Sequence, residues 1–230
     1  MALQQVGHKV WIYDGETVNF YSLPYSTRMT VIKLNDQSLW VHSPTTLNSN
    51  LQSEIDHLGK VRFLIAPNKL HHLFLPQWQA VYPDAKTYAA PGLIAKRPDI
   101  TFDKELTETA EPPWRDEIMQ TLLSGSCWMA EVVFYHSDSK TLILADLIEN
   151  FDPSVFNRWQ RFLAKLTGIL APDGKTPLDW RLSFLFGKSQ ARQALETMLA
   201  WQPEKIIIAH GECIFGNGTD FLRRSFAWLE

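Results

Sequence analysis

Short apolar runs separated by turn residues dominate the first half of the chain. Apolar runs of this kind, which are rich in β-branched and aromatic residues, are typical of strands. The strands expected here cover residues 9–21, 27–44, 60–66 and 85–91. The first two stretches predict hairpins, one folding at Asp14-Gly15 and the other at Asn35-Asp36, because these dipeptides favour tight turns.

Helical spacing of apolar residues appears in four places. The expected helices cover residues 47–59, 152–168, 189–203 and 219–230. Asp152 is suited to begin the second helix and Gly168 to end it, whereas Ser189 is suited to begin the third. The second helix has one apolar face, formed by Val155, Phe156, Trp159, Phe162, Leu163 and Leu166. Aromatic residues of this kind are interpreted as core.

The remaining segments complete an α/β pattern. Residues 131–137 and 140–146 predict a hairpin, 205–211 predict a buried strand, and 71–83 predict a short helical or irregular segment. Residues 92–115 are polar and rich in proline, so we expect mostly loop. The whole chain, 1–230, is interpreted as one α/β domain.

Composition narrows the function classes. The 230 residues are 45% hydrophobic and 20% charged, with a net charge of −3 and no basic run. This indicates neither nucleic acid nor a membrane surface as partner. No signal peptide or membrane span is recognisable, and Cys127 and Cys213 are expected to be small buried thiols rather than a disulfide. We therefore expect a soluble cytoplasmic protein with a small-molecule substrate or ligand.

Polar residues follow four apolar runs. His42 follows LWV, Asn68 follows FLIA and Pro67, Asp146 follows TLILA, and His210 follows IIIA. In α/β domains the ends of strands form the cleft where ligands bind, and imidazoles with a carboxylate suit zinc, iron or manganese. The alternative is structural, since His42 and Asp146 could each simply bond to a loop or cap a turn.

Two adjacent histidines, His71 and His72, follow the strand that precedes Asn68. On a helix they would point about 100° apart, but on an irregular turn both can reach one ion. His136, beside a hairpin turn, is expected to be solvated.

The order of these motifs resembles the metallo-β-lactamase fold family, whose members are four-layer αββα sandwiches. The nearer resemblance is to a branch described as a domain of unknown function, DUF4336. Its motifs are present as HSP (42–44), PNKLHH (67–72), YPDAKTYAAPGLIAKRPD (82–99) and TLILAD (141–146). The resemblance covers nearly the whole chain and implies an αββα sandwich.

The resemblance also shows where this chain departs from the family. The family's H-x-H-x-D-H motif aligns with residues 67–72, so Pro67 and Lys69 stand where its first two histidines belong. His71 replaces the motif aspartate and His72 matches the last histidine. Where the family has its next histidine, this chain has Ser126 and Cys127, so a two-metal centre is not expected.

The candidate ligands that remain in this chain imply a single ion at most. The resemblance implies four ligands to one zinc, iron or manganese ion, and these are His71, His72, Asp146 and His210. Bound water on such an ion could attack an ester, lactone, thioester or phosphoester. Asp146 and Lys69 are the expected catalytic residues, with the Lys69 ammonium replacing the charge of the lost metal. His42 and Asn68 are expected to help bind the cofactor.

Two other functions stay open. The site could be inactive, without an ion, so that His71 and His72 bond to loops, Asp146 pairs with Lys69, and the fold serves as a binding scaffold. A cysteine nucleophile at Cys127 or Cys213 is less favoured, because neither has a nearby base at a suitable spacing.

Overall fold

The computed structural model describes residues 2–20 and 23–230. The first half forms nine strands: β1 (Gln4–Gly7), β2 (Val10–Asp14), β3 (Val18–Phe20), β4 (Leu23–Tyr25), β5 (Arg28–Lys33), β6 (Ser38–His42), β7 (Lys60–Ala66), β8 (Lys86–Ala89) and β9 (Lys104–Glu105). Seven of them form one sheet in the order β1-β2-β5-β6-β7-β8-β9, and β3 pairs with β4 in a separate ribbon. The strands β6 to β9 are parallel.

The second half contributes a five-stranded sheet in simple chain order. Its strands are β10 (Ile118–Leu123), β11 (Glu131–His136), β12 (Thr141–Ile143), β13 (Lys205–Ile207) and β14 (Ile214–Phe215). The β12–β13 pair is parallel, whereas the other pairs are antiparallel. The ends of β12 and β13 therefore reach the same edge of this sheet.

Helices cover the outer face of each sheet. They are α1 (Ser49–Leu58), α2 (Leu75–Val81), α3 (Leu93–Lys96), α4 (Arg158–Thr167), α5 (Leu178–Ser183), α6 (Lys188–Ala200) and α7 (Gly218–Ser225), with 3-10 turns at Pro153–Val155 and Ala227–Leu229. The longest, α6, has 13 residues, and no helix in the described residues is long and apolar enough to cross a bilayer.

Three apolar layers hold together the two sheets and the helices other than α4, which packs in a smaller cluster with Phe151, Phe156 and Ile169. Aromatic side chains fill the space between the sheets, where Trp40 from β6 meets Phe134 from β11 with ring centroids 4.8 Å apart. The seven-stranded sheet packs its other face on α1 to α3. The five-stranded sheet packs its other face on α5 to α7. The molecule is thus an αββα sandwich, which confirms the predicted fold class.

The prediction of a first hairpin at Asp14-Gly15 is wrong. β2 pairs with β1 and β5, while β3 pairs only with β4. The chain does not turn back at Gly15, because the Gly15 N–H continues the pairing with β5 by donating to the Thr27 carbonyl at 2.8 Å. Tyr21, at the end of that predicted hairpin, lies outside the described residues.

Other expected elements agree with the structure. β5 and β6 form the hairpin expected within 27–44, β11 and β12 form the later one, and β7, β8 and α1 fall inside their predicted segments. The segment 92–115 is mostly loop, although it contains the short α3 and β9. The strand β10 was not anticipated.

The helix expected from residue 152 begins later than predicted. Pro153–Val155 forms a 3-10 turn, and α4 begins after Asn157. The Asn157 side chain accepts the Gln160 N–H, and the Gln160 side chain accepts the Asn157 N–H. This capping box fixes the start of the helix. α6 also differs slightly, because it begins at Lys188, before Ser189.

Three side chains lie in surroundings different from those expected. His136 is fully buried rather than solvated, because β11 lies between β10 and β12, and its Nδ1 contacts Ser139 Oγ at 2.8 Å. Cys127 is exposed and Cys213 is half-buried, and both are free thiols. Cys127 is exposed because it lies in the loop between β10 and β11.

Candidate metal centre

The ends of strands from both sheets meet at one place. His71 follows β7 of the seven-stranded sheet, whereas Asp146 follows β12 and His210 follows β13 of the five-stranded sheet. The Asp146 carboxylate and the His210 ring are buried, and the His71 side chain is 10% exposed. The site is therefore assembled across the interface between the two sheets.

The two imidazoles converge on one carboxylate oxygen. His71 Nε2 lies 3.0 Å from Asp146 Oδ1, and His210 Nε2 lies 2.8 Å from the same atom. A ligand atom from each of the three residues lies within 4.8 Å of the other two. Two histidines and one carboxylate are suitable ligands for zinc, iron or manganese and leave positions open for water or substrate.

The outer nitrogen of each ring is held by a separate partner. His210 Nδ1 donates to the Ser26 carbonyl at 2.6 Å, and His71 Nδ1 contacts Ser43 Oγ. Such outer bonds fix the orientation and tautomer of metal-binding histidines. A bound ion would take the place of the Nε2 protons that now face Asp146, with Nδ1 still protonated, so this donor set fits a metal ion.

Charges in the group are strongly coupled. Burial alone would raise the pKa of Asp146, but the neighbouring His71 and the hydrogen bonds from His210 and His71 outweigh burial and lower it. Burial opposes protonation of His71, yet the Asp146 charge raises the pKa of its imidazole above the ordinary value. The carboxylate is therefore ionised and attracts positive charge.

A buried hydrogen-bonded pair lies on the other side of the carboxylate. Asn68 Nδ2 donates to Asp146 Oδ2 at 2.8 Å and to Glu131 Oε2 at 2.8 Å. Asn68 and Glu131 have no solvent exposure. The amide thus separates two carboxylates that would otherwise repel each other in a region of low dielectric.

Glu131 also binds the backbone that carries Asp146. Its Oε1 accepts the Ala145 N–H at 2.8 Å and its Oε2 accepts the Asp146 N–H at 2.9 Å. Burial and then the charge of Asp146 raise the pKa of Glu131, while these hydrogen bonds oppose the rise. Sequence reasoning missed Glu131, although a carboxylate at the start of a strand of apolar residues, EVVFYH, was a visible signal.

The structure places His72 outside the group of three. The Arg97 Nη1 group donates to His72 Nδ1 at 2.6 Å. Burial, followed by the charge of Arg97, lowers the pKa of His72 to about 4. The adjacent histidines therefore point to different partners, and three of the four expected ligands lie together.

His42 is also buried but lies in a different environment. Its ring stacks on Trp40 with centroids 5.7 Å apart, and burial, followed by the charge of His71, lowers its pKa to about 3. His42 Nε2 has no hydrogen-bond partner among the described residues. Of the two residues expected to help bind a cofactor, Asn68 contacts a candidate ligand directly.

Lys69 lies beside Gly92 rather than on Asp146. Its ammonium end lies against Gly92, where an added Cβ would be 2.9 Å from Nζ. The Lys96 ammonium donates to the Lys69 carbonyl at 2.7 Å. The Lys69–Asp146 ion pair expected for an inactive site is absent among the described residues, because His71, His210 and Asn68 already surround that carboxylate.

A cavity of about 670 Å³ opens above the group. Its floor includes His71, Asp146 and His210, and two lysines line it, Lys69 and Lys96. Apolar side chains also line it; among them are Leu70, Leu73, Trp128 and Met129. Its size suits a small molecule.

Another carboxyl group lies in the wall of this cavity. Burial, the largest cause, raises the pKa of Glu149 to about 8, and the Tyr25 hydroxyl donates to Glu149 Oε2 at 3.3 Å. Sequence reasoning missed Glu149, since a lone Glu in ADLIEN resembles an ordinary loop residue.

Solved structures of metallo-β-lactamases share this fold. DIM-1 metallo-β-lactamase exposed to ceftazidime matches with a TM-score of 0.67 and 12% identity, over 99% of this chain and 95% of that one. The Hirschia baltica metallo-β-lactamase matches with a TM-score of 0.65 and 12% identity, over 99% and 96%. FIM-1 from Pseudomonas aeruginosa, in its mono-zinc form, matches with a TM-score of 0.64 and 11% identity, over 99% and 93%.

These likenesses define a protein of the metallo-β-lactamase fold. The family model for the domain of unknown function DUF4336 matches residues 7–161, so the chain belongs to that family. Among curated proteins no sequence matches.

Proposed function

We propose that this chain is a metal-dependent hydrolase with a mononuclear site. His71, Asp146 and His210 would hold one zinc, iron or manganese ion. The observation that carries the proposal is the convergence of two Nε2 atoms on Asp146 Oδ1, at 3.0 and 2.8 Å. When bound, such an ion supplies a water of lowered pKa for hydrolysis.

The count of one ion is supported by what occupies the other side of Asp146. The Asn68 amide lies between the Asp146 and Glu131 carboxylates and donates to both at 2.8 Å. This arrangement neutralises their repulsion with hydrogen atoms instead of a cation. The related fold of FIM-1 in its mono-zinc form supports the view that one ion is compatible with this architecture.

The residues of the chain have distinct tasks in this proposal. Asn68 and Glu131 hold Asp146, while Ser26 and Ser43 hold the two imidazoles. Lys69 attracts the negative charge of a substrate to the mouth of the cavity. His72, bonded to Arg97, is not assigned a ligand role here.

The substrate class follows from the cavity. It has room for a small molecule, and its lining includes two lysines, Lys69 and Lys96, and apolar side chains such as Leu73 and Trp128. We propose an ester, lactone, thioester or phosphoester that carries both an anionic group and an apolar part.

Free thiols at Cys127 and Cys213 are consistent with the reducing conditions of the cytoplasm.

The test is metal content, measured by elemental analysis of protein purified without chelator or affinity nickel. We expect about one ion per chain, as set by the three-ligand donor set. Asp146→Ala should lose the ion, whereas the matched variant His72→Ala should keep it. Screening of the four substrate classes with the loaded protein follows.

The alternative is a metal-free binding protein of the same fold. One observation favours it, because His71 and His210 already make hydrogen-bonded contacts with Asp146 that need no ion if the rings are protonated. Absence of metal even after zinc, iron and manganese are added would reject the hydrolase. Binding of small anions by the metal-free chain would then support the alternative.

A further inference from the structure

The helix α4 exposes the apolar face that amphipathic helices normally bury. Trp159 is 66% exposed, Phe162 51%, Leu163 41% and Leu166 61%. Phe162 and Leu163 are adjacent, and each lies three or four residues from both Trp159 and Leu166, so the four share one side of the helix. The expectation that aromatic residues belong to the core is therefore wrong for Trp159 and Phe162, whereas Phe156 is buried.

The helix holds this face in a fixed orientation. The Asn157–Gln160 capping box begins α4, and Gly168, at φ 80°, ends it in the left-handed conformation that favours glycine. The rings of Trp159 and Phe162 stack with centroids 5.6 Å apart. The exposed apolar groups are thus part of a well-formed helix.

A different side of α4 attaches it to the rest of the protein. Ala164 is the buried residue of the helix, and it packs in a small cluster with Phe151, Phe156 and Ile169. Because this cluster anchors the helix, the apolar face is free to contact a partner.

Positive charge accompanies the apolar face. Arg158, Arg161 and Lys165 are exposed on α4, and no acidic residue occurs between Asp152 and Asp173. Within the described residues Arg158 and Lys165 form no ion pair with a carboxylate. Arg161 donates to the Pro153 and Phe156 carbonyls, and its charge helps to lower the pKa of Asp152. The segment is cationic although the whole chain carries a net charge of −3.

We propose that α4 is a docking surface for an anionic phospholipid membrane. A helix with Trp, Phe and Leu on one side and Lys and Arg beside them lies flat in the bilayer interface, with the apolar side chains among the acyl chains and the cations near the headgroups. This proposal does not depend on the proposed hydrolase activity. It concerns binding at a membrane surface and not a membrane span.

The charge pattern favours a bilayer over a second copy of the chain. A twofold contact brings the same patch of both copies together. Through α4 it would place Arg158, Arg161 and Lys165 near their equivalents with no acidic residue of the helix to pair them. An anionic surface satisfies both the cations and the apolar groups.

The expectation that the chain has no membrane partner came from the whole sequence, in which charge is dispersed. The aromatic residues of the chain were also expected to lie in the core. Exposure of Trp159, Phe162, Leu163 and Leu166 removes that premise.

The test is flotation of the full chain with phosphatidylcholine vesicles that contain or lack phosphatidylglycerol. We expect binding only to the anionic vesicles, and release at high salt. The double variant Trp159→Gln, Phe162→Gln should abolish flotation. Arg158→Glu with Lys165→Glu should weaken it at least about tenfold, since each cation near an anionic surface contributes to binding.

Two variants serve as matched controls. Phe215→Gln changes an exposed aromatic residue elsewhere, and Lys86→Glu reverses an exposed cation elsewhere. Both should float like the parent. Thermal unfolding followed by circular dichroism checks that the α4 variants are folded, which their exposure leads us to expect.

Three results would overturn the proposal. These are no flotation of the parent chain, equal binding to neutral vesicles, and unchanged binding of the folded aromatic double variant. Dimerisation in sedimentation velocity that this double variant abolishes, without vesicle binding, would assign the face to a second copy instead.

Discussion

The two oxygens of the Asp146 carboxylate have partners of different kinds. On one side, Oδ1 faces the Nε2 atoms of His71 and His210, which can share an ion with it. On the other side, Oδ2 and the Glu131 carboxylate share the Asn68 amide. The negative charge of Asp146 is balanced by imidazoles at Oδ1 and by amide hydrogen atoms at Oδ2, and the candidate ligands for a cation lie on the Oδ1 side.

Replacing the shared carboxylate should have the largest effect, because it removes a partner from both sides. We expect Asp146→Ala to lower zinc affinity by more than about a hundredfold, since changes to groups that merely hold a ligand already cost about 10- to 100-fold. The free energy of unfolding of the metal-free protein should fall by roughly 3 to 5 kcal/mol. Zinc titration and urea unfolding measure the two effects.

An unchanged zinc affinity in Asp146→Ala would contradict the assignment of this carboxylate as a ligand. His72→Ala is the control, since His72 lies outside the group and bonds to Arg97.

The second prediction concerns a variant in which the hydrogen-bonded side of Asp146 is converted into one that requires a cation. Asn68→Asp removes the shared donor and adds a third carboxylate beside Asp146 and Glu131. The metal-free variant should lose roughly 3 kcal/mol of stability at neutral pH. Added zinc or manganese should restore part of this loss, because a cation that binds the native state stabilises it.

Asn68→Leu is the control without added charge; it removes the two donor bonds and also Oδ1, which accepts the Leu70 N–H at 2.8 Å and the His71 N–H at 3.1 Å. It should be destabilised but should gain no more from metal than the parent chain does. Equal responses of the two variants to metal, in urea unfolding, would show that charge at this position is not what the amide relieves.

The third prediction concerns Glu131, which acts on the site through Asp146. In Glu131→Gln, one side-chain oxygen becomes an N–H₂ group that faces backbone donors, so one of the Ala145 and Asp146 N–H groups loses its acceptor. The expected cost is about 1 to 3 kcal/mol of unfolding free energy. Zinc affinity should fall about tenfold as Asp146 loses its fixed position.

A change in stability without a change in zinc affinity would limit Glu131 to a structural role. Thr121→Val, on the neighbouring β10, provides a control that alters a polar side chain of the same sheet away from the candidate ligands.

The smallest expected effect concerns the pH dependence of the free energy of unfolding, to which His136 contributes away from the candidate ligands. Burial lowers the pKa of His136 from its ordinary 6.5 to about 4. Between these values the unfolded chain binds a proton at this residue more readily than the folded chain, so stability falls as the pH falls from about 6.5 to about 4. His136→Phe should reduce the loss between pH 7 and pH 5.5 by roughly 1 kcal/mol.

Urea unfolding at several pH values measures this slope. His57→Phe, which removes an exposed histidine of α1, is the control for histidine content. An equal slope in His136→Phe and the parent chain would show that His136 does not contribute to it.

Much of the fold could be predicted because its signals are local. The hairpin within 27–44 and the strand 60–66 are visible in short stretches of sequence. The first hairpin failed because Asp14-Gly15 resembles a turn locally, whereas pairing with β5 decides the path of the chain. The same limit applies to α4, since spacing predicts an apolar face but not what covers it.

The candidate site was predictable for a similar reason and to a similar extent. His71, Asp146 and His210 follow strands, so their gathering at one edge could be expected. The separation of His72 from them depends on Arg97, which is 25 positions away in sequence, and the bonds of Glu131 depend on side-chain packing. The spacing of residues along the sequence predicts neither the His72–Arg97 contact nor the hydrogen bonds of Glu131.

The hydrogen bonds from Asn68 to Glu131 and Asp146 also join the two sheets at this edge. Besides Asn68 and Glu131, the Val132 N–H donates to the Pro67 carbonyl at 2.8 Å across the sheet interface. The Val132 amide should therefore exchange with deuterium only when the sheets separate. Its exchange rate would report the opening of the whole sandwich, so the site can form only after both halves of the chain have folded and joined.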